Sequence, residues 1–166
     1  AFAVLPALAA VHLPMLVDAQ VRHWPRAPTP WVMAAQVEKE TCITLKHARC
    51  WSPRAELKTA RENGIGLGQI TRAYNADGSI RFDKQAELRE QHAALRHWTW
   101  ERRYEPERQT LALVLMNRSE FARFTSLAAT QVDVWSMTLA AYNGGTGAVL
   151  KDRLLCGIGA LLGLAL

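Results

Sequence analysis

The chain has 166 residues, of which 49% are hydrophobic and 21% are charged, which is the balance of a soluble globular protein with room for one real core. Its formal net charge of +5 suits an anionic polymer such as nucleic acid, anionic lipid or bacterial wall material, and does not choose among them. The basic residues form no block and alternate with acids, so they indicate mainly solvated helix faces.

Apolar periodicity predicts two helices in the first third of the chain. The first covers residues 13–24, and the proline-rich connector at residues 25–30 ends it. The second begins at Trp31, after Thr29 as a cap and Pro30, and runs to about Thr44. Residues 46–65 are polar and predict a loop with one short helix, and the glycines of residues 64–68 interrupt the chain.

The second half of the chain is predicted to be mainly helical. The turn at residues 75–79 allows a short hairpin over residues 74–82. Four helices are predicted to follow, at residues 83–98, 106–121, 132–142 and 147–155. The helix from Pro106 is apolar all round at residues 111–116, as expected of a buried central helix. The fold class is therefore mostly α, and residues 1–166 are predicted to form a single domain.

Both ends of the chain are apolar. Residues 1–17 contain two prolines and a histidine and are preceded by no basic stretch, so no complete signal peptide is visible. Residues 154–166 carry no charge but are fewer than the roughly 20 residues that a membrane-spanning helix needs. The C-terminal segment is expected to pack on the core, and membrane contact through the terminal segments is the alternative that is not expected.

The three cysteines form no C-x-x-C pair, which gives little support to a zinc or redox site. Cys42 and Cys50 are close enough to close a small disulfide loop in an oxidising compartment, although a buried thiol is an equal alternative for each. Cys156 would then be the odd one. The five histidines show no metal-ligand spacing, so no metal and no cofactor are predicted.

Glu40 is the leading candidate for chemistry. It ends a helix, and Gln36 and Val37 lie on its face, whereas Glu38 points elsewhere. Apolar neighbours raise the pKa of a carboxyl, and a proton held near neutral pH is what a general acid needs. A solvated glutamate at a helix end is the alternative.

Two further segments are weak when taken alone. In Gly66-Leu67-Gly68-Gln69 the backbone can approach a ligand and Gln69 offers both a donor and an acceptor, but a plain turn explains it equally. In Ala141-Tyr142-Asn143-Gly144-Gly145 a helix runs into a glycine turn, where Tyr142 and Asn143 suit sugar hydroxyls or N-acetyl groups. A capped helix end with Tyr142 half-buried is the simpler reading.

Taken in order, the three segments resemble the lytic transglycosylase domain related to goose-type lysozyme, in its phage and mobile-element branch. Glu40-Thr41 stands where that family has Glu-Ser, residues 66–69 match its Gly-Leu-x-Gln motif, and residues 141–145 match its Ala-Tyr-Asn-Ala/Gly-Gly motif. The resemblance covers about residues 31–150. It implies a lysozyme-like fold and cleavage of peptidoglycan between N-acetylmuramic acid and N-acetylglucosamine.

The resemblance also implies roles for individual residues. Glu40 would be the general acid and base, Tyr142 would support it, and Gln69 and Asn143 would contact the glycan, with Gly68 and Thr41 beside them. The product would carry a 1,6-anhydro ring, and no sure second carboxylate is visible among Glu38, Glu56, Glu62 and Asp77. Trp98 and Trp100 are expected in the core or the cleft wall rather than stacked on sugars.

Three departures from the family pattern are visible: Thr41 in place of Ser, a longer stretch between Glu40 and Gly66, and an apolar end after Cys156. The alternatives are a goose-type muramidase, a non-catalytic wall-binding module, and a nucleic-acid binder suggested only by charge. The expected partner is therefore peptidoglycan and not nucleic acid. The protein is expected to be a monomer that acts in the periplasm or cell wall, as a secreted or virion-associated protein.

Overall fold

The computed structural model describes the backbone of residues 5–161 and side chains up to Leu154. The prediction of a mostly α fold is confirmed, because helices dominate and the β structure is one small antiparallel sheet. The helices in the described residues are α1 (Ala7–His23), α2 (Trp31–Thr41), α3 (Lys84–Gln91), α4 (Pro106–Phe124), α5 (Gln131–Gly144) and α6 (Thr146–Leu161). The strands are β1 (Glu56–Lys58), β2 (Glu62–Ile65), β3 (Ile70–Tyr74) and β4 (Ile80–Asp83).

Packing divides the chain into two compact units, one up to Leu115 and one from Met116. The first unit contains α1, α2, the sheet and α3 together with the start of α4, and the second contains the end of α4 with α5 and α6.

Helix α1 is longer than its apolar pattern indicated. It begins at Ala7 and includes Pro14, where the predicted helix began only at residue 13. Leu16 is buried, but Val17 and Val21 are exposed by 49% and 56%. The buried face of this helix is made instead by small and polar residues, among them Ala9 and His12.

The stretch after α2 differs most from expectation. The helix ends at Thr41 rather than near Thr44, and Thr29 provides no side-chain cap. Residues 46–65 were predicted as a loop with a short helix, but they contain β1 and β2 instead. The connecting turn is held by Thr59, whose hydroxyl accepts the Glu62 N–H at 3.0 Å. Because these strands are short and largely polar, they show no alternation of apolar residues that sequence reasoning can detect.

The sheet has the order β1-β2-β3-β4, and every neighbouring pair is antiparallel. The predicted hairpin over residues 74–82 is present as β3 and β4, joined by the turn at residues 75–79. Ile65 pairs with Ile70 across β2 and β3, so these strands are joined by the four residues between them. That connection contains the 3-10 turn Gly66–Gly68.

Further along, the predicted helix at residues 83–98 stops at Gln91, and 3-10 turns follow at Ala93–Leu95 and Trp100–Arg102. Leu88 and Leu95 are buried as expected. Helix α4 begins at Pro106, and its apolar centre is buried as predicted. The same helix also buries polar side chains completely, most notably Gln109 at 0% exposure.

In the second unit, α5 begins with a capping box in which Thr130 and Asp133 bond each other's backbone N–H. A small core lies between its helices and contains Phe124, Val134 and Ala141. Phe121 meets Trp135 edge to face at a centroid distance of 5.1 Å.

No helix within the described residues is long and apolar enough to cross a membrane. In the apolar first segment of the chain, Ala9, His12 and Leu16 are buried. Residues 1–4 and 162–166, and the side chains beyond Leu154, lie outside the described part of the chain, and so does the pairing of Cys156.

Candidate functional site

Glu40 lies in the last turn of α2 and is half-buried. Val37 and Gln36, one turn earlier, are both buried, so the face that carries Glu40 turns towards the interior. Burial raises the pKa of Glu40, and the charge of the neighbouring Lys39 partly offsets this effect. The direction of the shift is the one that a general acid requires near neutral pH.

Thr41 connects the end of α2 to the segment that follows it. Its hydroxyl donates to the Val37 carbonyl at 2.7 Å and accepts the Trp51 N–H at 2.9 Å. The residue is only 2% exposed. In this structure the hydroxyl is therefore occupied by the protein, and the substrate contact expected of Thr41 stays a prediction.

The loop after Thr41 is closed by a disulfide between Cys42 and Cys50. Directly after it, Trp51 is buried in a left-handed backbone conformation, with φ of 59°. The Trp51 indole donates to the Glu38 carboxylate at 3.4 Å. Because Glu38 is two residues before Glu40 on α2, its side chain leaves the helix on another side. The disulfide and Trp51 thus fasten the end of α2 from the C-terminal side.

The second motif forms the 3-10 turn Gly66–Gly68, ended by Gln69 in the left-handed region at φ of 46°. The Gln69 side-chain amide donates to the Gly66 carbonyl at 2.9 Å and to the Ala55 carbonyl at 3.1 Å. A Cβ at Gly64 would lie 2.9 Å from Gln69 Oε1, so a larger residue there would require the Gln69 amide to shift. Gln69 therefore faces into the turn, and its expected contact with glycan stays a prediction.

The first two motifs are brought together, because α2 packs directly against the turn Gly66–Gly68. Glu40 at the end of the helix and Gly68 at the end of the turn thus belong to neighbouring elements. Residues 42–65, which separate the motifs along the chain, form the disulfide loop and the hairpin β1–β2.

Gln109 is a residue of this site that sequence reasoning missed. Its Oε1 accepts the Leu67 N–H at 2.9 Å, and its Nε2 donates to the carbonyls of Pro53 at 2.8 Å and Arg103 at 2.7 Å. The available signal was a glutamine, followed by Thr110, directly before the apolar centre of α4.

Tyr142 and Asn143 lie in the second unit, near the end of α5. Tyr142 is half-buried, and Asn143 is exposed with its amide donating to the Leu139 carbonyl at 2.9 Å. The helix ends at Gly144, and Gly145 follows with a φ of 84°, which favours glycine. The glycine stop predicted from the sequence is therefore present.

The two tryptophans considered for sugar stacking have different surroundings. Trp98 is 1% exposed and donates its indole N–H to the Arg102 carbonyl at 2.9 Å. Trp100 is half-buried, with the guanidinium of Arg72 3.4 Å and that of Arg103 4.9 Å from its ring centroid. Trp98 is thus a core residue, and the ring of Trp100 is covered by cations.

A cleft of about 830 Å³ lies between α1 and the start of α4. Its walls carry both signs of charge, and the acids Asp18 and Glu105 pair with Arg22 and Arg102. Neither Glu40 nor the glycine turn lines it. Among the described residues, no group of three or more His, Cys, Asp or Glu side chains is placed to hold a metal ion.

Comparisons of the chain with protein-family models, curated proteins and solved structures gave no significant match.

Proposed function

We propose that this chain belongs to the class of glycan-cleaving enzymes that work by acid/base catalysis, with Glu40 as the acid and base. More particularly, we propose that it is a lytic transglycosylase that acts on bacterial peptidoglycan. One observation carries the proposal: Glu40, the acid of the first motif, is half-buried with a raised pKa on a helix packed against the turn of the second motif.

In the proposed reaction, protonated Glu40 gives its proton to the oxygen between N-acetylmuramic acid and N-acetylglucosamine, and the bond from muramyl C1 to that oxygen breaks. The muramyl C6 hydroxyl then attacks C1, and the Glu40 carboxylate takes the hydroxyl proton. The products are a 1,6-anhydromuramyl end and a free 4-hydroxyl, and no water is consumed. One carboxyl group that changes role is sufficient for both steps.

Two of the four other carboxylates considered from the sequence are engaged by aromatic side chains, which fits a reaction that uses Glu40 alone. The Glu38 carboxylate, on another side of α2, accepts a hydrogen bond from the Trp51 indole, and the Glu56 carboxylate accepts one from the Tyr104 hydroxyl. Each of these two acids is thus engaged by an aromatic side chain. A hydrolase would need a second group to activate water or to form a covalent intermediate.

The remaining residues enter the proposal through the family resemblance. Tyr142 would support Glu40, and Asn143 would contact the glycan. The net charge of +5 fits an anionic wall polymer, and the disulfide fits a periplasmic or secreted protein, because disulfides persist in oxidising compartments.

The test is digestion of purified Gram-negative peptidoglycan, with the soluble fragments identified by mass spectrometry. Glu40→Gln keeps the shape of the side chain but cannot exchange the proton, and it should lower the rate about 10²–10⁴-fold. Glu38→Gln is the matched control, since its Oε1 still accepts from Trp51, and it should retain activity. Fragments ending in 1,6-anhydromuramic acid would support the transglycosylase.

Two other outcomes would replace the proposal. Fragments about 18 Da heavier with reducing ends, still dependent on Glu40, would make the protein a muramidase. A folded wild-type protein that binds peptidoglycan without releasing fragments would make it a wall-binding module.

A further inference from the structure

We infer that Gln109 is a positioning residue for the catalytic end of α2: it fixes the turn Gly66–Gly68, and through that turn it sets where Glu40 sits. The reaction assigned to Glu40 rests on the proposed function. The positioning itself is a property of the fold and is tested separately below.

The first step is that the Gln109 side chain, which is completely buried, makes hydrogen bonds to three parts of the chain. One amide joins three separate segments: the turn at Leu67, the stretch before β1 at Pro53, and the stretch before α4 at Arg103. A glutamine is required for this pattern because it offers one acceptor and two donors in a single planar group. Glutamate lacks the donors, and methionine lacks all three bonds.

The second step is that the turn is shaped around this side chain. Gly66 has a φ of 71°, which side chains rarely adopt, and a Cβ there would lie 2.2 Å from the Gln109 amide. The glycine of the second motif is therefore explained by close approach to Gln109 rather than by close approach to a ligand.

The third step follows the contacts from the turn to the acid. The Gly66 carbonyl accepts a hydrogen bond from the Gln69 side-chain amide, and the Gly66 N–H donates to the Ala55 carbonyl at 2.7 Å. The turn is therefore one hydrogen-bonded unit. Helix α2 packs on that unit and carries Glu40 at its end. If the turn loses its anchor, water reaches the end of α2, and the burial that raises the pKa of Glu40 declines.

The experiment compares Gln109→Met with a matched variant, Gln85→Met. Gln85 is 3% exposed, and its amide donates to the carbonyls of Trp98 at 3.1 Å and Thr99 at 2.9 Å. Each variant removes a buried amide that bonds to the backbone of a distant segment, but only Gln109 contacts the turn. Gln109→Asn is a third arm if methionine prevents folding, because it keeps an uncharged amide that is one methylene too short to span the three segments.

The readout is the Glu40 carboxyl pKa in the intact protein, followed by carbon NMR, together with hydrogen exchange at the Leu67 amide. Among the described residues, Lys39 is the charged neighbour that acts on Glu40, and it is unchanged in all variants. We expect a shift of the Glu40 pKa towards its ordinary value and faster Leu67 exchange in both Gln109 variants, and neither change in Gln85→Met. An unchanged Glu40 pKa in the Gln109 variants, or an equal shift in Gln85→Met, would overturn the inference.

Activity separates this inference from the proposed function. If the wild-type protein releases anhydro fragments, Gln109→Met should lower kcat about 10- to 100-fold with a smaller change in KM, because misplacement of a catalytic group acts mainly on the chemical step. If the wild-type protein is inactive, the proposed function fails, while the NMR comparison still decides whether Gln109 positions Glu40.

Discussion

The end of α2 and the end of α5 each carry one of the motifs on which the family resemblance rests, but they are held in different ways. The Glu40 end is fixed by contacts between residues far apart in the sequence, such as the bond from Leu67 to Gln109 and the packing of α2 on the glycine turn. The Tyr142 end belongs to a helix with a capping box at its start and a glycine stop at its end. Local sequence signals are therefore enough to define the ends of α5, whereas the surroundings of Glu40 depend on tertiary contacts within the first unit.

The largest effect on stability is expected from Trp135→Ala, which tests whether the α5 region also needs tertiary contacts. Trp135 is 5% exposed and meets Phe121 edge to face. Its removal should lower the free energy of unfolding by about 3–5 kcal/mol. The measurement is chemical denaturation followed by circular dichroism.

Val132→Ala is the control for this prediction, because Val132 is on the same helix and 73% exposed. Its effect should stay within about 0.5 kcal/mol. Equal losses in the two variants would mean that the aromatic contact does not stabilise the second unit.

The next effect concerns the loop beside Glu40. Replacing Cys42 and Cys50 together by serine removes a bridge across a sequence separation of 8 residues. The free energy of unfolding should fall by about 2–3 kcal/mol through the entropy of the unfolded chain. Reduced wild-type protein should match the double variant, and both measurements are made with Cys156→Ser so that no third thiol can exchange.

This comparison also separates a local from a global role of the disulfide. Hydrogen exchange should accelerate at residues 41–51 in the serine variant, and residues 131–144 should keep the wild-type rates. Acceleration spread over both regions would contradict a local role.

A smaller loss is expected from Thr130→Ala at the start of α5. The Thr130 hydroxyl accepts the Asp133 N–H at 3.1 Å, and its loss should cost about 1 kcal/mol. Ser136→Ala, which removes an exposed hydroxyl from the middle of the same helix, should be close to neutral. If Ser136→Ala costs as much as Thr130→Ala, the cap is not what stabilises the helix.

The smallest effect on stability is a gain from Glu40→Gln at neutral pH. Since burial raises the folded-state pKa of Glu40, the folded protein binds the proton more tightly than the unfolded chain. Wild-type stability therefore declines as pH rises from the unfolded pKa, about 4.3, through the higher folded pKa. Glutamine does not titrate, so the variant lacks this decline. Its melting temperature should be higher than that of the wild type at pH 7 and nearly equal to it at pH 3.

A charge variant checks the same carboxyl through activity. The Lys39 cation lowers the pKa of Glu40, so Lys39→Met should raise it further. In the proposed mechanism the protonated acid is the active form, so the alkaline limb of the pH–rate profile should move to higher pH. A limb that moves to lower pH in this variant would argue that Glu40 is not the titrating acid.

Several features of this protein follow from short stretches of its sequence. The apolar centre of α4, the hairpin around residues 75–79 and the glycine stop after α5 were all predicted, because each depends on local periodicity or turn chemistry. The placement of Glu40 at a helix end beside buried Val37 was predictable for the same reason.

Other features were decided only by tertiary structure. The strands β1 and β2 escaped detection because short polar strands gain their stability from neighbours in the sheet and not from their own pattern. The sequence also did not predict that the Gln69 side chain faces into the turn or that the Gln109 amide makes three hydrogen bonds. A buried amide is stable only where carbonyl and N–H groups from distant parts of the chain lie within hydrogen-bonding distance. The sequence therefore determined which residue is the candidate acid, and the packing of the first unit determined what surrounds it.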